Sequence, residues 1–366
     1  MAPPARGVVL GLAALAAAGT AHAQSSVTLY GLVDTYVEHR NHVNAAGDAV
    51  WLLGTPAGAT GSGGMNTSRW GMRGSEDLGG GLSAIFNLEG ELSPDTGAGN
   101  ANPFSRQAWV GLEGGFGRLI AGRSYTTTYD FILPFDPLGY APIASWGTAG
   151  SASGGRADGM ITGLSNQLKY RYTLGGLRFG ASYGFGEQAT SASDSATYNL
   201  AVSYTVGGLG LVATAERQNG NTTTTAPIGR NKRTAVHLGA SYEIGPVKFF
   251  AVARDYKLDP IAAGPDNKST TYWVGAAYKI TAPLTLTLAY YKQDIKDGVR
   301  AGTTDVPGSD PSLAVLRARY AMSKRTDLYA VASYAAAKRA VVGISRDDAG
   351  FDDNQTSVAV GIQHRF

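Results

Sequence analysis

The sequence predicts an all-β fold: a sixteen-stranded antiparallel β-barrel that crosses a membrane. Three observations lead to this prediction. The chain begins like an exported protein, its apolar residues alternate with a period of two, and its connections alternate between short and long. The composition agrees, because the 366 residues include 50 glycines and 19 tyrosines but only 16% charged residues, against about 25% in ordinary soluble domains.

The first part of the chain has the pattern of a secretory signal peptide. Arg6 precedes an apolar run over residues 8–18, which is too short to span a bilayer. A site of the A-x-A type follows, so we expect cleavage between Ala23 and Gln24. The remaining chain, 24–366, would form one barrel domain in an oxidising compartment, and without cysteine it has no disulfides.

The net charge gives no reason to expect nucleic-acid binding. The whole chain has 31 Lys and Arg against 28 Asp and Glu, and removal of the signal peptide takes away only Arg6. With the charges nearly balanced, an electrostatic function depends on where each sign is placed.

The apolar residues follow the period of β-strands. In ATYNLAVSYTV (196–206), Tyr, Leu and Val alternate with Asn, Ala, Ser and Thr, and the pattern returns in 177–185, 234–244 and 284–291. A soluble β-sandwich would alternate in the same way. Two details favour a membrane barrel: tyrosine often stands near the ends of the apolar face, and the other face is small and polar, as a water-filled lumen requires.

The connections give the number of strands. Short ones lie at 76–81, 113–117, 173–176, 205–208, 243–246, 280–283 and 322–326. Long ones lie at 40–66, 93–104, 124–164, 187–195, 218–232, 257–269, 295–312 and 338–355. Seven short and eight long connections join sixteen strands. Short turns on one side and long loops on the other are typical of outer-membrane barrels, and an even count puts both termini on the short-turn side.

The end of the sequence alternates up to its last residue, Phe366. If this strand pairs with the first one, 27–39, the barrel closes and no free edge remains. Phe366 shares the predicted lipid face with Val360 and Ile362. We expect Phe366 to act as an assembly signal; the alternative is an anchor at the membrane interface.

Several stretches resemble the general, non-specific outer-membrane porins of Gram-negative proteobacteria, in their trimeric group. They are SSVTLYGLVDT (25–35), SRWGMRGSEDLGGGL (68–82), RQAWVGLEGGFGRLIAGR (106–123), MSKRTDLYAVASY (322–334) and VGIQHRF (360–366). The resemblance covers essentially all of 24–366. It implies a channel in the bacterial outer membrane through which small hydrophilic solutes and ions diffuse passively, without a cofactor.

The same resemblance implies partners and loop positions. The chain would form a homotrimer, with the third long loop folded into the channel and the second, 93–104, latched over the neighbouring subunit. Lipopolysaccharide and outer-membrane lipids would surround it, and the barrel assembly machinery would read Phe366.

Strand parity predicts which cations face the lumen. Arg69 and Arg73 alternate with Trp70 and Met72, and a cation facing lipid would cost ~2–4 kcal/mol at the bilayer midplane. The inward cations predicted in this way are Arg69, Arg73, Lys169 and Arg171, with Arg317 and Arg319 nearer the periplasmic end. The resemblance implies a basic wall at the constriction that includes Arg69 and Arg106, although parity is less clear for Arg106.

The resemblance also implies acids on the inserted loop, for which Asp130 and Asp136 are the candidates. LPFDPLGY (133–140) replaces the commoner Pro-Glu-Phe-Gly of this family at that place. Glu89 and Asp34 point inward by parity and either complete the acidic side or anchor the loop. Because basic candidates outnumber loop acids, the sequence predicts a mild to moderate preference for anions. The plainer alternative is that these charges only line a solvated wall.

The sequence also bears on three alternative functions. A substrate-specific channel or an adhesin could use the same barrel, and a hydrolase would need a catalytic rim. His39 and His42 with Asp48 make the best acid–base pair available, and no serine lies in a nucleophile motif. The acidic run 345–354 does not have the ligand spacing of a calcium loop, so we expect a solvated loop or a divalent cation shared with lipopolysaccharide.

Overall fold

The structure is a computed structural model of the whole chain. It describes residues 26–54, 63–148, 158–189, 191–221, 232–259, 266–297, 307–345 and 350–366. The predicted signal peptide, with the cleavage site at Ala23 and Gln24, lies outside the described residues. In the described ranges, no helix is both long enough and apolar enough to cross a membrane.

Antiparallel strands form a single closed sheet, as the alternating pattern predicts. The described residues contain seventeen strands. They are β1 (Ser26–Arg40), β2 (Val50–Leu53), β3 (Arg69–Gly79), β4 (Leu82–Glu91), β5 (Gln107–Gly114), β6 (Gly117–Tyr125), β7 (Gly163–Leu174), β8 (Leu177–Gly184), β9 (Thr197–Val206), β10 (Leu209–Gln218), β11 (Lys232–Ile244), β12 (Val247–Asp259), β13 (Asn267–Lys279), β14 (Leu284–Asp297), β15 (Ser312–Ala321), β16 (Thr326–Ala336) and β17 (Asn354–Arg365).

β2 and β3 together fill one strand position in the barrel, because both pair with β1, each along a different part of it. β3 pairs with β1 from Ser26 to Leu32, and β2 pairs with the same strand from Val37 to Arg40. The barrel therefore has sixteen strand positions, which confirms the predicted count. The prediction that 40–66 is all connection is wrong, because β2 lies within it. Its four residues, VWLL, are too few and too uniformly apolar to show a period of two.

The last strand closes the barrel on the first. β17 pairs with β1 from Leu32↔Arg365 to Arg40↔Ser357. Beyond it, the Phe366 N–H donates to the Gly31 carbonyl at 3.1 Å, and the Gly31 N–H donates to the Phe366 carbonyl at 3.2 Å. A Cβ on Gly31 would lie 2.2 Å from the Phe366 ring, so only glycine leaves room for the ring there. Closure thus gives β1 and β17 a partner strand on each side.

The strands expose apolar side chains and bury polar ones, which is the reverse of the pattern in a soluble protein. On β9, Leu200 is 64% exposed while its neighbour Asn199 is 1% exposed. On β11, Leu238 is 62% exposed while His237 is fully buried. Apolar side chains point away from the barrel and polar ones point into it, which is the arrangement of a barrel surrounded by lipid.

The third long loop runs into the barrel. It includes a short helix, α1 (Thr127–Ile132), followed by a 3-10 turn at Leu133–Phe135. Its apolar side chains, among them Ile132 and Trp146, pack with inward residues of the wall such as Trp273 on β13. The described part of this loop therefore fills one side of the lumen and narrows the passage.

The second long loop stays at the surface. Leu92 forms an isolated bridge with Gly99, and the Phe104 ring lies 6.1 Å from the Trp70 ring on β3. Residues 95–103, which include Gly99, are exposed.

Candidate functional site in the barrel lumen

Hydrogen bonds hold the third long loop across the lumen. The Trp273 indole N–H on β13 donates to the Phe135 carbonyl at 3.2 Å, and the Trp146 indole N–H donates to the Ile344 carbonyl at 3.0 Å. Arg254 on β12, which is fully buried, donates to the Gly147 carbonyl at 2.9 Å. These donors satisfy backbone carbonyls that have no strand partner. The loop is therefore fixed at several points along its inward path.

Asp136 belongs to the packed part of this loop. It is 4% exposed, and its carboxylate accepts hydrogen bonds from the Tyr291 hydroxyl at 2.5 Å, the Tyr140 N–H at 2.6 Å and the Ser145 hydroxyl at 2.9 Å. Burial raises the pKa of this carboxyl, and the three hydrogen bonds oppose the rise. These contacts favour an anchoring role, and a role at the constriction stays a prediction.

Arg317 and Arg319 lie on the inward face of β15. Arg317 donates to the carbonyls of Leu138 at 3.0 Å and Pro137 at 3.2 Å, so it also holds the third loop. Arg319 lies 2.9 Å from a carboxylate oxygen of Asp327 on β16. The sequence predicts that both make the lumen basic near the periplasm. Of the two, Arg317 is bound to the third loop and Arg319 is paired with a carboxylate.

Glu89 lies among the arginines rather than opposite them. Its carboxylate is 2.9 Å from Arg106 Nε, 3.6 Å from Arg69 Nε and 2.9 Å from the Tyr30 hydroxyl. Arg73 follows on the same side, with its guanidinium 5.1 Å from the centre of the Tyr30 ring. One buried carboxylate is thus shared by two cations of the predicted basic wall.

Asp34 accepts hydrogen bonds from the first long loop. It is fully buried, and it accepts backbone hydrogen bonds at about 3 Å from the N–H groups of Gly64, Met65 and Asn66. The Tyr329 hydroxyl donates to the same carboxylate at 2.5 Å. Of the two roles that the sequence leaves open for Asp34, the anchoring of a loop fits these contacts, although the loop is the first and not the third.

A second group of cations lies beside α1. Lys169 on β7 is 2.5 Å from a carboxylate oxygen of Asp130, and it also donates to the Tyr125 carbonyl at 2.8 Å. Arg171 follows two residues later on the inward face, and Arg178 lies on the next strand, where it pairs with Thr173. Neither Arg171 nor Arg178 forms an ion pair within the described part of the chain.

Sequence reasoning missed three features of this site. Arg178 is not among the predicted inward cations, although it alternates with outward-facing Phe179, so strand parity is enough to predict that it faces the lumen. Arg254 could have been found by the same rule. The rings of Tyr125 and Tyr129 are stacked with their centres 4.4 Å apart. This stacking depends on the path of the inserted loop, so no local sequence pattern predicts it.

The charge around the narrowed lumen is unequal. Six cations lie there: Arg69, Arg73, Arg106, Lys169, Arg171 and Arg178. Among the described residues, only two carboxylates, Glu89 and Asp130, lie within salt-bridge distance of them. Arg118, beside Lys169 and Arg171, is paired with Glu113 at 2.6 Å and adds no net charge. At about 8 Å in water, one unit charge changes the energy of a passing ion by about 0.5 kcal/mol. The surplus of cations therefore favours the entry of anions and opposes that of cations.

The residues that a hydrolase could have used as an acid–base pair have other partners. His42 Nδ1 is hydrogen-bonded to the Asn354 carbonyl at 2.7 Å and its Nε2 lies 3.6 Å from Asp352, while Asp48 accepts from Asn44. His39 packs against Trp51, with ring centres 4.8 Å apart. Across the ranges that the structure describes, no group of three His, Asp or Glu residues is placed to hold a metal ion.

Comparisons with known proteins agree with this architecture. The family model described as Gram-negative porin matches residues 11–340. The chain is 34% identical to outer membrane porin protein 32 of Delftia acidovorans, over 98% of this chain and 99% of that protein. It is 28% identical to an outer membrane porin protein of Bordetella pertussis, over 95% and 96% of the two chains.

Solved structures show the same fold. The anion-selective porin from Comamonas acidovorans superposes with a TM-score of 0.77 at 30% identity, covering 94% of this chain and all of that one. The outer membrane protein OmpT of Vibrio cholerae superposes with a TM-score of 0.66 at 18% identity, covering the same shares, and at that identity the likeness concerns the fold alone.

Proposed function

This chain belongs to the Gram-negative porin family, and we propose that its channel prefers anions over cations. It is a porin of the bacterial outer membrane, a water-filled barrel for the passive diffusion of small hydrophilic solutes and ions. Diffusion through such a channel requires no reaction, so the proposal includes no catalytic role and no cofactor.

One observation carries the proposed preference: among the described residues, the six named cations of the narrowed lumen have only two carboxylates within salt-bridge distance. Both carboxylates lie against cations of this set, so the uncompensated charge is positive. Low-dielectric walls and a narrow gap strengthen the field of such a surplus on a passing ion. A solved relative is described as an anion-selective porin, which supports the proposal for this chain.

We propose further that the chain works as a homotrimer. A solved structure of OmpT of Vibrio cholerae is described as a trimer form, and the exposed residues 95–103 of the second long loop could latch over a neighbour. Lipopolysaccharide and outer-membrane lipids would cover the apolar outer band, and the barrel assembly machinery would read Phe366.

Planar-bilayer recording of the purified protein in a KCl gradient tests the preference for anions. We expect stable conductance and a zero-current potential with the sign set by chloride flux. A potential with the sign set by potassium flux would overturn the preference while leaving the channel itself intact. Membranes that stay silent would contradict the open channel.

A further inference from the structure

A pocket of about 450 Å³ opens into the lumen between the third long loop and the short turns. We call it the vestibule pocket. It is lined by Phe131, Pro134 and Phe135 of the loop, Arg178 on β8, and Lys248 on β12, with hydroxyls that include Ser203 and Thr205 on β9. Its volume is within the range of about 300–1,000 Å³ that is typical of small-molecule sites.

The vestibule pocket contains two half-buried cations, Arg178 and Lys248, and neither takes part in a salt bridge in the described part of the chain. The Asp130 carboxylate acts on Arg178 only from beyond salt-bridge distance. The one carboxylate of the lining, Glu243, lies opposite Lys248 in the β11–β12 ladder but forms its salt bridge with Lys279 on β13, at 3.1 Å. This differs from the basic wall, where Glu89 and Asp130 already lie against the cations.

Both cations are oriented by aromatic rings. The Arg178 guanidinium lies 4.2 Å from the centre of the Phe131 ring, and Lys248 Nζ lies 5.0 Å from the centre of the Phe250 ring. An arginine stacked on a ring is preorganised and presents its fork of N–H donors to a carboxylate. Lys248, four strands away on the far side of the pocket, adds positive charge to the lining.

The third loop gives the pocket an apolar side. Pro134 is exposed there, and Phe131 and Phe135 complete the lining next to it. A hydrated inorganic anion gains nothing from such a surface. A ligand with a carboxylate at one end and a flat apolar body can meet the cations and the loop at the same time.

We propose that the vestibule pocket is a binding site for small aromatic carboxylates on the periplasmic side of the constriction. The proposal rests on the proposed function, because the ligand must enter a channel that admits anions. Binding here would hold such a solute just past the narrowest point, at the short-turn end of the lumen.

Isothermal titration of the purified, detergent-solubilised protein with sodium benzoate tests this site. Acetate provides the same charge without the ring, and benzamide provides the ring without the charge. We expect benzoate to bind and both analogues to bind much more weakly. Arg178→Gln should weaken benzoate binding about tenfold, since it removes a charge-assisted contact, and Lys248→Gln should weaken it less, since it removes a more distant charge. Lys324→Gln, in a short turn on the same side, is the control.

Four results would overturn the proposal: no benzoate binding by the wild type, acetate binding as tightly as benzoate, benzamide doing so, or an equal loss in the Lys324→Gln control. If one lumen variant fails to fold, the other decides. The zero-current potential in KCl, recorded on the same wild-type preparation, separates the outcomes. An anion-selective protein without benzoate binding disproves only the vestibule site, whereas a cation-selective protein disproves the proposed preference whether or not benzoate binds.

Discussion

At the scale of single residues, the ion preference of the lumen depends on which of its charged side chains already form salt bridges. Glu89 lies within reach of Arg106 and Arg69, and Asp130 lies against Lys169. Arg73 lies over the Tyr30 ring and Arg171 lines a pocket beside the Lys169–Asp130 pair, and neither forms a salt bridge among the described residues. A passing anion therefore meets the unpaired cations most strongly, and the paired ones contribute less.

Removal of the Glu89 charge should increase the preference for anions. Glu89→Gln keeps the shape of the side chain while two arginines lose a partner, so the permeability ratio of chloride to potassium should rise by about twofold or more. Zero-current potentials in a KCl gradient measure the ratio. Glu76→Gln is the matched control, because it removes an exposed carboxylate from the outward face of β3, the face opposite to Arg69 and Arg73. An unchanged ratio in Glu89→Gln would contradict the assigned position.

Parity along the strands is enough to predict that Arg69, Lys169 and Arg171 face the lumen, because a period of two fixes the face. It cannot tell which wall of the lumen an inward charge meets. For Glu89 the sequence leaves two roles open, completion of an acidic side or anchoring of the inserted loop. The structure places it among arginines, because its strand neighbours theirs in the closed sheet. Contacts across a barrel depend on the closure of the whole sheet, and no local window contains that information.

At the scale of elements, the third long loop decides the width of the channel. Its position depends on a few hydrogen bonds from the wall, of which the bond from the Tyr291 hydroxyl to Asp136 is 2.5 Å long and fully buried. It also depends on close contact with the wall. A Cβ on Gly180 of β8 would lie 2.5 Å from the Phe131 ring and 2.7 Å from Thr127 Cγ2.

Loss of the Tyr291 hydroxyl should loosen the loop without unfolding the barrel. Tyr291→Phe leaves Asp136 short of one buried donor, which costs about 1–3 kcal/mol. Backbone amides over 136–147 should exchange hydrogen faster, and the channel should close at lower voltage. Tyr290→Phe is the control, because that tyrosine is 43% exposed on the outer face of the same strand. Equal behaviour of the two variants would show that the bond does not hold the loop.

A side chain at Gly180 should push α1 into the passage. Gly180→Val places its branches where Phe131 and Thr127 now lie, so the helix must shift toward open lumen. We expect a lower single-channel conductance than in the wild type. Ala181→Val adds bulk at the next position of the same strand, on the outward face, and should leave conductance unchanged. A wild-type conductance in Gly180→Val would mean that α1 does not border the passage.

The sequence predicts the existence of this loop but not its path. About 40 residues without a strand period, 124–164, indicate a functional segment. Its contacts with β12, β13 and β15 join residues more than a hundred positions apart, such as Trp273 and Phe135. The short strand β2 was missed for a related reason, because it forms only where β1 extends beyond β3.

At the scale of the whole molecule, closure of the barrel and the proposed assembly into a homotrimer determine what a recording should show. The barrel closes through β1 and β17 and, in the described ranges, leaves no strand of this ring without a neighbour on each side. Each subunit thus encloses its own lumen, and a trimer of such subunits conducts through three parallel passages.

Bilayer recordings at high voltage should therefore show closures in three equal steps for each inserted particle. Cross-linking of the unheated protein in detergent should give a band at three times the subunit mass, and dissociated subunits should give single steps. Insertions that close in a single step from a particle of trimer mass would contradict three independent lumens.

The central claim is that unpaired cations in the lumen produce a preference for anions, and charge reversal tests it most directly. The double variant Arg73→Glu/Arg171→Glu changes two cations that have no salt bridge in the described residues, so no ion pair is broken. Its zero-current potential in a KCl gradient should move from the chloride sign of the wild type toward the potassium sign, while Lys324→Glu on a short turn should not move it. A wild type that already has the potassium sign, or a double variant that keeps the wild-type potential, would contradict the account.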